Sequence, residues 1–119
     1  MPIPASAKKF DDTMDPSDKV DYLVDLTPLL ADGEEFTSID LAVMAESVLL
    51  GFKIETDAPY APSEPTPGQI LIWAGVETGD QADSGWAGGV FCGIEFTGVT
   101  DSSPPRTFQR TVAIQVIQK

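Results

Sequence analysis

The side chain that most often carries enzyme chemistry, histidine, is missing from this chain. There is a single cysteine, Cys92. Ser84 and Cys92 therefore lack the imidazole base on which Ser-His-Asp and Cys-His nucleophiles depend. One thiol also excludes an internal disulfide or a thiolate cluster for a metal, and on an apolar stretch Cys92 reads as a small core residue. The run GWAGG at 85–89 has neither the lysine nor the following helix of a Walker-type phosphate loop. Carboxylates are plentiful, with 19 acids against 7 bases, so some pair always lies at a glycosidase-like separation and the pairing carries no information. Asp11, Asp12, Asp15 and Asp18 have the oxygens a hard cation wants. Their spacing, however, lacks the glycine and closing glutamate of a calcium loop, and a solvated acidic arm is the favoured reading. No catalytic residue, metal or cofactor is expected.

The aromatic residues Tyr60, Trp73, Phe91 and Trp86 are the other group with chemical potential, as a platform for stacking sugars. Trp73, beside Ile72, reads first as core. Trp86 sits in a Gly/Asp-rich segment, where an aromatic is either folded back as a lid or held out as an interface anchor, a role in which tryptophan is enriched.

A formal charge of −12 works against the phosphate backbone of nucleic acids and against anionic membranes, and favours solubility and a basic patch on a partner. No apolar run approaches the roughly 20 residues that span a bilayer. The start, MPIPASAKKFDD, has no long apolar stretch and does not read as a secretory signal. At 119 residues, one soluble domain with its own core is expected.

The elements that position these residues are strands. In 20–26, Val20, Tyr22, Val24 and Leu26 alternate with Asp21 and Asp25, and Leu23 is the one apolar residue facing out. Asp32-Gly33 marks the exit. Ile39, Leu41 and Val43 form the buried face of 35–43, Phe52 and Ile54 that of 51–56, and Ile70 and Ile72 that of 69–74, a continuously apolar strand that is either covered on both sides or has an exposed Leu71-Trp73 face. Segment 90–100 has Gly93 and Gly98 at positions that permit a bulge or a close backbone approach. It pairs as a hairpin with 106–117, whose inner face is Val112, Ile114 and Val116, across a Ser- and Pro-rich turn at 101–105. Segment 44–50 stays open between a helical turn and a loop. Segment 57–68, with four prolines, reads as a stiff surface connection, and 75–89 as a long hairpin loop.

Six strand candidates with Gly- and Pro-rich connections imply an all-β fold, an antiparallel β-sandwich. A seventh short edge strand is expected at 44–50 or near residue 85, and a closed barrel is the alternative. Residues 1–18 form an extended N-terminal arm and 19–119 the sandwich domain. The arm is either a loose end or a strap held by the domain body or by another chain.

Three stretches carry a resemblance. One is DPSDKVDYLVDLTPLLADGEEF at 15–36, another is Gly51-Phe52 together with ILIWAG at 70–75, and the last is the closing Arg-x-Phe-x-x-x-Val-x-Ile-x-Val at 106–116. In pattern and order the chain resembles small immunoglobulin-like virion proteins of tailed bacteriophages, over about three quarters of its length. The resemblance implies an immunoglobulin-like sandwich and a non-enzymatic, structural role within the virion. The first expectation is an adaptor linking fibres or spikes to the tail. The alternatives are a capsid decoration protein bound outside the head lattice and, from the aromatics, a carbohydrate-binding module. Partners would be other virion structural proteins, in several copies per particle, with no nucleic acid and no membrane. The chain departs from the family pattern at its arm and in the longer 75–89 loop, so the expected partner-binding residues are Lys8, Lys9, Phe10 and Trp86.

Overall fold

A computed structural model describes residues 3–119. Among these described residues, eight strands form two packed sheets: β1 (Lys8–Lys9), β2 (Val20–Asp25), β3 (Phe36–Val43), β4 (Phe52–Ile54), β5 (Ser63–Thr66), β6 (Gln69–Val76), β7 (Val90–Thr100) and β8 (Thr107–Val116), with one short α-helix, α1 (Ala45–Leu49). Sheet I has the order β1-β8-β7-β3, and sheet II the order β2-β6-β4 with β5 also paired to β6. The period-two alternation explains which faces meet. Tyr22, Val24, Phe52, Ile70, Ile72, Cys92, Ile94, Phe96, Val112, Ile114 and Val116 are all buried between the sheets, while Leu23 is left on the outer face at 45% exposure.

All six expected strands are present, and the last two form the expected antiparallel hairpin, from Val90 opposite Val116 to Val99 opposite Thr107. Two further strands lie elsewhere than expected. Segment 44–50 contains α1, not an edge strand, and residues 84–86 form a 3-10 turn. The extra strands are β1, inside the arm, and β5, inside the proline-rich connection. Pro65 has no N–H to donate, so β5 is tolerated only as a short edge piece, joined to β6 by a turn at Gly68 with φ 86°. The register of β7 runs unbroken through both glycines against β8. Gly98 serves a close approach instead, because a Cβ there would stand 2.5 Å from the Phe36 ring.

Sheet I is mixed, because β1 runs parallel to β8, with Lys8 opposite Val112 and Lys9 opposite Ala113. The arm continues along the same strand. Phe10 N–H donates to Ala113 O at 3.1 Å and Met14 N–H to Gln115 O at 3.1 Å, while Ile117 N–H donates to Met14 O at 2.9 Å. Met14 is fully buried. The domain body is thus what holds the arm here. At the opposite end, Arg106 forks onto the Glu34 carboxylate (Nε to Oε2 at 3.0 Å) and donates to Leu29 O at 3.2 Å. That clamps the 31–34 turn to the start of β8.

Candidate interaction surface

The residues singled out for chemistry do not converge. Cys92 is fully buried in the sheet interface, where desolvation pushes its thiol up to about 12, against a smaller opposing effect of the Ser47 hydroxyl. A thiol in that state is a core side chain. Asp15 uses its carboxylate as a turn cap: it accepts from Ser17 N–H at 2.8 Å and from Lys119 N–H at 2.8 Å. The Ser17 hydroxyl, first, and these backbone donors hold its carboxyl below the ordinary value. Among the described residues, no group of three or more Cys, Asp and Glu side chains is placed to hold a metal ion.

The four aromatics form no single platform: Tyr60 and Trp73 pack together, and Phe91 and Trp86 lie elsewhere. Phe91 lies on the outer face of sheet I with the Lys9 ammonium 5.1 Å from its ring centre. Trp73 lies on the outer face of sheet II, where Tyr60 packs edge-on at 5.1 Å and the Lys19 ammonium caps Tyr60 at 4.1 Å. A ladder of ion pairs runs beside them, Lys19 to Glu55 at 3.1 Å, Lys53 to Glu55 at 3.5 Å and Lys53 to Glu77 at 3.3 Å. Such exposed pairs contribute only about 0–1 kcal/mol each. They tie the residue before β2 to β4 and the end of β6, while Tyr60 brings the proline-rich connection against Trp73 and Lys19.

Trp86 is the lid, not the anchor. It is 2% exposed, its indole N–H donates to Asp80 O at 2.9 Å, and its own carbonyl accepts from Gln118 N–H at 3.0 Å. Asp83 caps the turn by accepting from Gly85 N–H at 2.8 Å. The Gly/Asp-rich segment therefore folds around its tryptophan and presents no aromatic to a partner. Of the other three expected contact residues, Lys8 and Lys9 are exposed on the edge strand β1, whereas Phe10 packs against Tyr22 with ring centres 4.9 Å apart.

The strongest surface feature lies in the segment whose structure the sequence left open. α1 carries the chain from β3 in sheet I to β4 in sheet II. It uses Met44 and Ser47, three residues apart and so on one helical face, to pack on β7. The Ser47 hydroxyl accepts from Gly93 N–H at 3.0 Å, and the Met44 sulfur lies over Gly93, where a Cβ would stand 2.5 Å away. A five-residue helix with that face inward has no second surface to bury. Val48, Leu49 and Leu50 are consequently 54%, 86% and 43% exposed. Gly51, at φ 93°, ends the helix under Asp80 and returns the chain into β4.

Beside these residues the sandwich is open. β3 and β4 are edge strands of their respective sheets, and the gap between them is a groove of about 420 Å³ lined by Leu41, Val43, Val48, Phe52, Ile54 and Pro62, with Lys53 and Glu77 on its rim. A run of three exposed aliphatics next to an apolar groove is what a docking surface requires and what a fully solvated face avoids. The sequence signal was the string Val48-Leu49-Leu50, since three consecutive apolar positions cannot share one helical face. Compared with protein-family models, with curated proteins and with solved structures, the chain matches none of them.

Proposed function

We propose that this chain is a non-enzymatic structural module of a multi-protein particle, held in place through the open flank between β3 and β4 and the α1 aliphatics beside it. The particle the resemblance points to is a tailed-phage virion, with the module as an adaptor linking fibres or spikes to the tail. The observation that carries the docking reading is the exposure of Val48, Leu49 and Leu50. Covering one leucine side chain contributes about 1.5–3 kcal/mol. Three adjacent aliphatics therefore supply the centre of an interface, which charged rims alone do not.

The strand order supports an immunoglobulin-like version of the sandwich. With β2, β3, β4, β6, β7 and β8 taken as B, C, D, E, F and G, the sheets pair as B-E-D and C-F-G, the partition of that fold. β1 then occupies the place of a short strand beside G. The parts that supply the family's rigid spacer are the packed sheets, and the parts that differ are edges and connections.

The test is incorporation of a Leu49→Glu chain into particles, measured by mass spectrometry of purified virions. Leu49 is so exposed that the variant folds, and its exclusion from particles is the expected result. Normal incorporation would refute this flank as the attachment surface. In the same measurement, an abundance far below that of the major capsid protein fits a tail adaptor, and a comparable abundance replaces that address with decoration of the head.

A further inference from the structure

We infer that the open flank takes its partner by strand addition: an extended segment of another protein, with aliphatic and basic residues in alternation, pairs with the free edge of β3. The inference rests on the reading of this flank as a docking surface and names the form and chemistry of what docks.

Hydrogen-bond phase identifies the edge. Met44 N–H donates to Gly93 O at 2.9 Å, which sets Met44 and Gly93 at a hydrogen-bonding position of the antiparallel ladder, with the Ser47 hydroxyl taking the Gly93 N–H in place of Met44 O. The register continues with Val43 opposite Ile94, Ala42 opposite Glu95, Leu41 opposite Phe96, Asp40 opposite Thr97 and Ile39 opposite Gly98. Because hydrogen-bonded and non-hydrogen-bonded pairs alternate, Ala42 and Asp40 spend their N–H and C=O groups on β7. Those of Ile39, Leu41 and Val43 turn to the free side. An added strand closes that row, and backbone bonds of this kind give affinity while alternate side chains give specificity.

The two faces of such a strand meet different chemistry. Its inward side chains enter the groove over Leu41, Val43, Phe52 and Ile54, which selects aliphatic residues. Its outward side chains lie beside Asp40, the only charged residue of β3 and an exposed one. At the rim, Lys53 is already bound by Glu55 and Glu77. An apolar floor with an acidic border, in a chain of net charge −12, selects lysine or arginine at the outward positions. The same charge disfavours a second copy as the occupant, because β3 against β3 sets Asp40 and two strongly acidic bodies against each other.

The probe is a fluorescein-labelled ten-residue peptide alternating valine with lysine, titrated to about 1 mM against the intact chain. Binding is read by anisotropy, and amide hydrogen exchange is followed by NMR. The expected result is saturable binding that slows exchange at Leu41 and Val43 by at least about tenfold. It is weakened at least about fivefold by Asp40→Lys and abolished when the peptide's alternate amides are N-methylated. No binding, or binding that leaves Leu41 and Val43 unprotected, overturns the inference. So does equal binding of the N-methylated peptide, which identifies simple charge attraction. Exclusion of Leu49→Glu chains from particles together with an unprotected β3 edge removes strand addition and leaves the docking reading standing. Protection of the edge together with normal incorporation of Leu49→Glu does the reverse.

Discussion

On one flank of the sandwich, where β1 of sheet I faces β2 of sheet II, the chain fills the gap with its own N-terminal segment. Phe10 lies against Tyr22, the Tyr22 hydroxyl donates to Asp12 O at 3.2 Å, and Met14 is fully buried against the end of β8. Burial, first, and the nearby Asp12 push the Tyr22 hydroxyl up to about 12, so it stays a donor at any physiological pH. On the other flank, where β3 faces β4, no segment of the described chain fills the corresponding gap, and aliphatic side chains stand exposed beside it. Both flanks pose the same problem, an apolar seam ending at unpaired strand edges. The chain solves it internally on one side, and on the other leaves the seam open, where we propose that a partner docks.

This contrast predicts opposite responses to substitution. The largest effect belongs to Met14→Ala on the closed flank, which leaves a cavity next to Val116 and lowers unfolding free energy by about 2–5 kcal/mol in denaturant melts. Removing residues 1–14 costs at least as much, and the truncated chain is expected to melt early. An unchanged midpoint would show that the arm is an accessory and dissolve the contrast.

Acid comes next. The folded state holds the Glu34 carboxyl well below its ordinary 4.5, chiefly through Arg106, and the Asp15 carboxyl below its ordinary 3.8, chiefly through Ser17. A carboxyl lowered by folding contributes stability that is complete above its ordinary value and drains away as pH falls through it toward the folded value. The melting temperature therefore falls below about pH 4.5. Glu34→Gln and Asp15→Asn each flatten that fall, and Asp15→Asn acts by releasing the arm from the C-terminus. A pH profile unaltered by either variant contradicts this account.

The smallest effect on stability belongs to the open flank. Leu49→Glu changes unfolding free energy by less than about 0.5 kcal/mol, because an exposed side chain away from packing has little to lose. A loss as large as that of Met14→Ala would mean that α1 is part of the core and not a surface feature.

The cores of β2, β6 and β8 were legible in the sequence because alternation is local: Tyr22, Val24, Ile70, Ile72, Val112 and Ile114 each announce their face through their neighbours. The hairpin of β7 and β8 was legible because a short turn leaves no other partner. Trp86 was not, since a Gly/Asp-rich segment has no periodicity and its direction depends on Asp80 O and Gln118 N–H, the latter 32 positions along the chain from Trp86. The parallel pairing of β1 was hidden for the same reason, because two lysines carry no strand signal and β8 supplies the template.

Composition and pattern by themselves determined that this is an acidic, histidine-free, mostly β chain and placed six of the eight strands described, because those properties need only neighbouring residues. Tertiary structure decided which edges are closed and which are free. Pairing across the sheets sets Phe10 and Met14 over one seam, and the packing of Met44 and Ser47 on β7 turns Val48, Leu49 and Leu50 outward at the other. Edge status is a property of strand order, and strand order depends on contacts between residues distant in the chain.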